Sequence, residues 1–228
     1  MGFEIVRFKA QQSAFFRMQH FLLHNDIDLI LDVGANVGQY AKLVRQLGYK
    51  GRIVSFEPLS SAYTILLTAK RGDPLWEIAP RAAIGDVDGE IEIHIARNSY
   101  SSSVVDMLDT HAKALQDAAY IGSETVRLSR LDNIAAPYIN KANRGIFLKI
   151  DVQGFETHVL EGARKILPKV SGIELEMSLV PLYKGQPLLR EMLHIMDNLG
   201  YVLFDIAPAF ADEATGRLYQ VNGTFFRR

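Results

Sequence analysis

The sequence predicts an α/β protein built on a mainly parallel sheet flanked by helices, and three observations carry that expectation. LILDVGANVGQY, residues 29–40, runs from an apolar strand through a tight glycine turn into a helical pattern. Strand-like and helix-like segments then alternate at the lengths that βαβ units need. The chain closes with two β runs around the turn signal DEATG, which predicts a C-terminal antiparallel hairpin.

The elements follow in order. Residues 9–25 place Ala14, Phe15, Met18, Phe21 and Leu22 at helical spacing, an amphipathic entry helix within an N-terminal segment 1–26. Its His20 and His24 lie four apart, which suits a metal or, more simply, a solvated helix surface. A buried-type strand at 28–33 leads through the glycine turn to a helix ending at Gly48. RIVSFEP is a short strand closed by Pro58, and SSAYTILLTAKRG a helix. LWEIAPRAAIG predicts a third strand. GDVDGEIEIHIA predicts a hairpin, because Asp88-Gly89 is a turn dipeptide and EIEIHI alternates with period two. The polar, serine-rich stretch 98–122 fits a lid over a site. ETVRLSRLDNI gives another strand, GIFLKID a strongly buried fourth strand of the main series, QGFETHVLEGARKILP a helix and SGIELEM the fifth strand. LLREMLHIMDNLG is a helix stopped by Gly200. With no repeat and no linker, residues 27–228 are expected to form the core of one domain spanning 1–228.

Composition narrows the function. The 228 residues are 48% hydrophobic and 22% charged, with a net charge of -1 and no cysteine. Near-neutral charge argues against a broad grip on nucleic acid or anionic lipid. Absence of cysteine removes disulfides, thiolate nucleophiles and thiolate zinc sites. With no apolar run of membrane-spanning length and no leader or myristoylation pattern, the expectation is a soluble cytoplasmic protein.

In open parallel sheets ligands bind at the carboxyl ends of the strands near the switch in strand order. A dinucleotide turn wants G-x-G-x-x-G; here Gly34-x-Asn36-x-Gly38 lacks the third glycine, and no phosphate-loop lysine follows. The turn therefore fits a compact ligand. Glu57, 23 residues after Gly34 at the end of the second strand, is placed to accept two ribose hydroxyls. Asp32 at the tip of the first strand is placed to meet a cationic amine. Both carboxylates can instead serve as turn or cap residues. A nucleoside carrying a positive amine, such as S-adenosylmethionine, matches the pair.

DVGANVGQY, FEP, AIGDVDG, SSS, the LD of SRLD, FLKIDVQGFETHVLEGA, LYKGQP and GRLYQVNGTFFRR, in that order, resemble the FkbM-type methyltransferases from about Ile27 to Arg228. The resemblance implies a class I, Rossmann-like methyltransferase fold using S-adenosylmethionine. It also implies O-methylation, with sugars or secondary-metabolite hydroxyls as the acceptor class.

A hydroxyl needs a base or a metal beside it before it attacks a methyl group. Asp151 ends the fourth strand, and Glu174 and Glu176 share one face at the end of the fifth. Asp151 and Glu176 suit Mg²⁺, which prefers carboxylate oxygens; alternatively Asp151 is the general base, or both bind the hydroxyls of a polyol. Lys149, two residues from Asp151, is expected to pair with it or to act as a base. Glu156 opens the following helix, where the dipole favours an acid, and the family motif places it near the acceptor. His158 is a further possible base or a helix-surface residue. Ser101, Ser102 and Ser103 are candidates for the cofactor carboxylate, Ile84 and Asp86 for the adenine, and Phe155 and Tyr183 for the acceptor pocket. Two other readings stand beside this one: a cofactor-binding protein without turnover, and a nicotinamide-dependent oxidoreductase.

Overall fold

In the computed structural model the described residues are 13–98, 100–108, 110 and 118–228. Ten strands and seven α-helices are assigned among them. α1 (Ala14–His24) precedes β1 (Ile27–Val33), α2 (Gln39–Gln46), β2 (Arg52–Phe56), α3 (Ser60–Ala69) and β3 (Trp76–Ile78). β4 (Ala83–Gly85), β5 (Gly89–Ala96) and β6 (Tyr120–Arg130) follow, then the one-turn helices α4 (Leu131–Ile134) and α5 (Ala136–Ile139). The chain completes with β7 (Gly145–Ile150), α6 (Glu156–Gly162), a 3₁₀ turn (Leu167–Lys169), β8 (Val170–Ser178), α7 (Leu189–Asn198), β9 (Tyr201–Ala211) and β10 (Leu218–Arg227).

The main sheet has the order β3-β2-β1-β7-β8-β10-β9. β3, β2, β1, β7 and β8 are parallel, and β10 runs antiparallel to both its neighbours. β1 and β7 are central and buried on both faces, hence their near-continuous apolar sequence. One face packs Leu29, Leu31, Leu148, Ile173 and Phe225 beneath the helices that follow β6, β7 and β8. The other packs Ile30, Ile53, Phe147 and Phe226 beneath α1 and α2. From β1 the strand order runs outward in both directions, so the carboxyl ends of β1 and β7 flank the topological switch.

The expected entry helix is present over Ala14–His24, capped by the Ser13 hydroxyl, which accepts from the Phe16 amide at 3.4 Å. Its predicted start at 9–12 lies outside the described residues, as do residues 99, 109 and 111–117 of the predicted lid. No described helix is long and apolar enough to cross a membrane.

Two expectations between 75 and 130 need correction. LWEIAPRAAIG is two strands, because Pro80 has no N–H to continue a ladder. β3 joins the main sheet, while β4 enters a separate sheet of order β4-β6-β5. The GDVDGEIEIHIA hairpin does not form either, since β6 lies between β4 and β5, parallel to the first and antiparallel to the second. Asp88 instead ties the β4–β5 turn to the end of β6: its Oδ1 accepts from Ser129 Oγ at 2.9 Å and the Arg130 amide at 3.0 Å. The predicted helix 153–168 shortens to α6, because Gln153 and Gly154 both have positive φ, 55° and 96°.

Gly34 shows why the glycine turn has its composition. Its φ is 79°, and a Cβ built there would lie 1.8 Å from the Asp151 carbonyl oxygen. Only glycine lets the ends of β1 and β7 approach this closely. Gly34→Ala is expected to destabilise the fold by about 3 kcal/mol or more, or to prevent folding. Gly72→Ala, also at positive φ (87°) but with nothing within 4 Å, is the control and should cost about 1–2 kcal/mol. Urea unfolding of both variants compares them; equal losses would refute the close-approach argument.

Candidate active site

Strand register assembles the site. Ser55 (β2), Asp32 (β1), Lys149 (β7), Glu174 (β8), Thr224 (β10) and Asp205 (β9) are successive partners across six strands. They form a polar row on the face beneath α1 and α2. Ser55 Oγ accepts from Trp76 Nε1 at 3.0 Å and donates to Asp32 Oδ2 at 3.0 Å. Lys149 Nζ lies 3.9 Å from Asp32 Oδ1, 3.1 Å from Asp151 Oδ2 and 5.4 Å from the Tyr40 ring centre. Thr224 Oγ1 donates to Glu174 Oε2 at 3.4 Å, and Arg17 of α1 pairs with Asp205 at 2.8 Å. One step toward the carboxyl ends lie Asp151 and the registered pair Glu176 and Asn222.

A cavity of about 550 Å³ opens over this row. At one end Glu57, Leu59, Ala83, Ile84 and Phe155 make a largely apolar slot with a single carboxylate. At the other, Glu174, Glu176, Asp205, Asn222 and Thr224 give a polar floor under Phe15, Met18, Tyr40 and Pro208. Gly34, Asn36, Lys149 and Asp151 border the junction.

Electrostatics follow from burial. Glu57 Oε2 accepts from the Asn36 amide and Oε1 from the Leu59 amide, both at 2.8 Å. Burial pushes its pKa up to about 7 against the pull of these two donors. Burial likewise takes Glu174 to about 7, with Lys149 and Thr224 opposing, and Glu156 to about 7. Glu176 is raised well above the usual carboxylate range by burial, then by the charges of Asp151 and Glu156. Asp32, fully buried, is raised by burial and pulled back by Lys149 and Ser55. Burial works against the Lys149 charge, but Asp151 and Asp32 outweigh it and its pKa is raised.

These shifts fix a pH dependence. A carboxyl whose pKa is higher folded than unfolded binds its proton more tightly in the folded state. Its stabilisation is complete below about 4.5 and is lost as pH rises through about 7. Urea midpoints should therefore fall between pH 5 and pH 8, and Glu156→Gln should flatten that fall by roughly 1–3 kcal/mol. An unchanged slope in Glu156→Gln would refute the assignment.

The structure brings Gly34, Asn36, Glu57, Ile84, Ser103, Lys149, Asp151, Phe155, Glu174 and Glu176 onto the cavity wall. Ser102 lines it too, whereas buried Ser101 and several other expected residues stand off it. Asp32 is sealed beneath the glycine turn and reaches the site only through Lys149. Gly38, φ 85°, faces Trp76, whose ring a Cβ would meet at 2.6 Å, so it serves packing. Asp86 lies in the β4–β5 turn, where its carbonyl accepts from Arg130. Glu156 Oε1 accepts from the Val152 and Gly154 amides at 3.3 and 3.1 Å, bracing the loop after β7. Tyr183 is 1% exposed and donates to Gln153 Oε1 at 2.8 Å. His158 stacks on Phe155 with ring centres 3.9 Å apart, behind the slot. His20 and His24 stack on each other, 5.7 Å apart, with no third metal-ligating side chain among the described residues.

Gln153, Asn222, Thr224, Asp205 and Tyr40 were not anticipated. For Asn222 and Thr224 a signal existed: QVNGT alternates polar residues on a strand otherwise rich in aromatics. Gln153 had none, because its role depends on a backbone conformation rare outside glycine.

The donor set does not fit Mg²⁺ between Asp151 and Glu176. Gln153 Nε2 donates to Asp151 Oδ1 at 2.7 Å and to Glu176 Oε2 at 3.0 Å, and Gln220 Nε2 donates to the same Glu176 oxygen at 2.6 Å. With the Gln153 amide seated between the two carboxyls and Lys149 on the other Asp151 oxygen, donors take the place where a cation would bridge Asp151 and Glu176, while Asp151 keeps further acceptor positions toward the cavity. Among the described residues no three His, Asp or Glu side chains converge as a metal site.

Comparison with known proteins agrees with this architecture. Residues 32–203 match the methyltransferase FkbM domain. The 2-O-methyltransferase NoeI of Sinorhizobium fredii (strain NBRC 101917 / NGR234) is 28% identical over 188 residues, covering 79% of this chain and 76% of that protein. An S-adenosylmethionine dependent methyltransferase from Mesorhizobium loti shares the fold, with a TM-score of 0.52 at 9% identity over 96% of this chain and 100% of that one. A methyltransferase FkbM from Methylobacillus flagellatus KT aligns with a TM-score of 0.49 at 14% identity over 87% of this chain. The alignment takes in 44% of that longer chain. With a domain match over most of its length and the class I methyltransferase sheet beneath it, the chain belongs to the FkbM methyltransferase family.

Proposed function

We propose that the protein transfers a methyl group from S-adenosylmethionine to a hydroxyl of a small, sugar-like acceptor in the cytoplasm. The observation that carries this is one continuous cavity joining an apolar slot that holds the Glu57 carboxylate to a polar floor of Glu174, Glu176, Asn222 and Thr224. The hydroxyl acceptor is supported by the relative named as a 2-O-methyltransferase.

The residues fit the cofactor. A carboxylate has about four acceptor positions, and backbone amides take only two at Glu57, leaving two for a ribose diol. Ala83, Ile84 and Phe155 offer the flat apolar surface an adenine needs. When bound, S-adenosylmethionine supplies an electrophilic methyl carbon. The protein's part is to align the acceptor oxygen with that carbon, worth about 7–11 kcal/mol when done well, and to take the hydroxyl proton. Asp151 borders the junction of the two ends with its side chain 38% exposed, so a carboxylate oxygen is open to the acceptor. Lys149 balances its charge, and Asn222, Thr224 and Glu174 orient the remaining hydroxyls.

Calorimetric titration with S-adenosylhomocysteine, followed by methyl transfer to a panel of neutral glycosides, tests this. Micromolar binding and transfer to a hydroxyl are expected. Absence of binding would refute the cofactor assignment, and turnover of amine or carboxylate acceptors alone would refute the hydroxyl.

A further inference from the structure

The loop between β7 and α6 holds a residue in a conformation that needs explaining. Gln153 has φ 55°, in the left-handed region that costs a non-glycine residue of order 1 kcal/mol or more. The strain is held from outside: Ser103 Oγ donates to the Gln153 carbonyl at 2.6 Å, and Tyr183 packs against Gly154, where a Cβ would meet it at 2.8 Å. What the strained backbone achieves is the placement of one amide. Its Oε1 accepts from the Tyr183 hydroxyl at 2.8 Å, nearer to that hydroxyl than the alternative acceptor, the Ser101 carbonyl at 3.4 Å. Burial keeps the Tyr183 hydroxyl protonated. With Oε1 accepting from that hydroxyl, the NH₂ lies toward the carboxyl oxygens of Asp151 and Glu176, which accept from it. Both hydrogens are then used, one on Asp151 Oδ1 at 2.7 Å and one on Glu176 Oε2 at 3.0 Å.

We propose that Gln153 is a positioning residue for the methyl transfer, its amide oriented by Tyr183 so that it clamps Asp151 to Glu176 and holds the remaining acceptor positions of Asp151 open to the cavity. This rests on the function proposed above for the same site. The clamp removes rotation about the terminal torsion of Asp151, which is otherwise broad for a carboxylate. With Lys149 on Oδ2 and Gln153 on Oδ1, the carboxylate plane is set from both sides. It also separates two carboxyl groups that would repel if both ionised, by placing donor hydrogens between them. A hydrophobic or small side chain at 153 would leave Asp151 free to turn toward Lys149 and away from the acceptor.

Two measurements test the clamp. In the protein without cofactor, the Gln153 side-chain amide protons, assigned by their absence in Gln153→Glu, should exchange with solvent at least tenfold more slowly than those of an exposed glutamine. Tyr183→Phe should abolish that protection. Fast exchange in the wild type overturns the clamp whatever the activity. In turnover, Gln153→Ala should lower kcat by about 10–100-fold, a misplaced-group effect, with acceptor KM and S-adenosylhomocysteine affinity within threefold. Gln153→Glu should lose about as much at pH 8 but recover toward the wild-type rate as pH falls to 6, because the protonated acid regains an O–H donor. Asp32, Lys149, Asp151, Glu156, Glu174, Glu176 and Tyr183 surround the position in every variant, so each rate is compared with the wild type at the same pH. Wild-type kcat in Gln153→Ala, or a rise in KM alone, overturns the positioning role. Failure of the wild type to bind S-adenosylhomocysteine would instead overturn the proposed function and leave the amide-exchange result to decide the clamp.

Discussion

Asp151→Asn should lower methyl transfer by about 10²–10⁴-fold, the usual contribution of a positioned general base, while S-adenosylhomocysteine affinity changes no more than a few-fold. The asymmetry follows from where the residue sits. Asp151 borders the junction rather than the apolar slot around Glu57, Ile84 and Phe155, so its charge acts on the acceptor more than on the nucleoside. Asparagine is isosteric and can still accept from Lys149, but it cannot take a proton, and its NH₂ would face either that ammonium or the Gln153 amide. Turnover assays beside calorimetry read both quantities. A large loss of cofactor affinity with modest loss of kcat would move Asp151 into the cofactor's surroundings and leave Glu174, with its pKa near 7, as the better base.

Glu57→Ala should weaken S-adenosylhomocysteine binding by about 10²-fold or more. Two hydrogen bonds from a diol to a buried carboxylate are charge-assisted, each worth roughly 1.5–3 kcal/mol, and water recovers part of that on truncation. The variant also leaves the Asn36 and Leu59 amides without their acceptor, so a lower unfolding midpoint should accompany the loss. Glu57→Gln separates the two effects, because its amide oxygen retains one backbone donor. A pH series adds a check of sign. Because burial lifts Glu57 to about 7, and the ionised form accepts the diol better, affinity should rise as pH increases from 6 to 8 in the wild type and stay flat in Glu57→Gln. Unaltered binding in Glu57→Ala would place the ribose elsewhere.

Much of the fold was legible because its signals are local. Alternation of apolar strands with helical periodicity predicts a parallel sheet, and β1, β2, β7 and β8 appear where that pattern puts them. The turn signal at 212–216 predicts the reversed final strand, and β10 is antiparallel to both neighbours. The error at GDVDGEIEIHIA has a physical origin. Asp88-Gly89 does mark a turn, but a turn dipeptide says nothing about which strand is adjacent, and β6, which begins only at Tyr120, intrudes between β4 and β5.

By itself the sequence determined which chemistry is available: a glycine turn too short for a dinucleotide, a carboxylate after the second strand, and an acid at the end of the fourth with two more on the fifth. These depend on spacing along one strand or turn, which two-residue periodicity fixes. Tertiary structure alone decided who touches whom. Register across six strands set Asp32, Lys149 and Glu174 in one row, so that Asp32 became a buried partner of Lys149 instead of a ligand-facing acid. Packing of Tyr183 against Gly154 turned Gln153 into the bridge between Asp151 and Glu176. Apart from the Gln153–Asp151 bond, these contacts join residues far apart in the chain, such as Asp32 and Lys149 or Gln153 and Glu176, and a hydrogen bond's direction, unlike a strand's period, leaves no trace in the local pattern of residues.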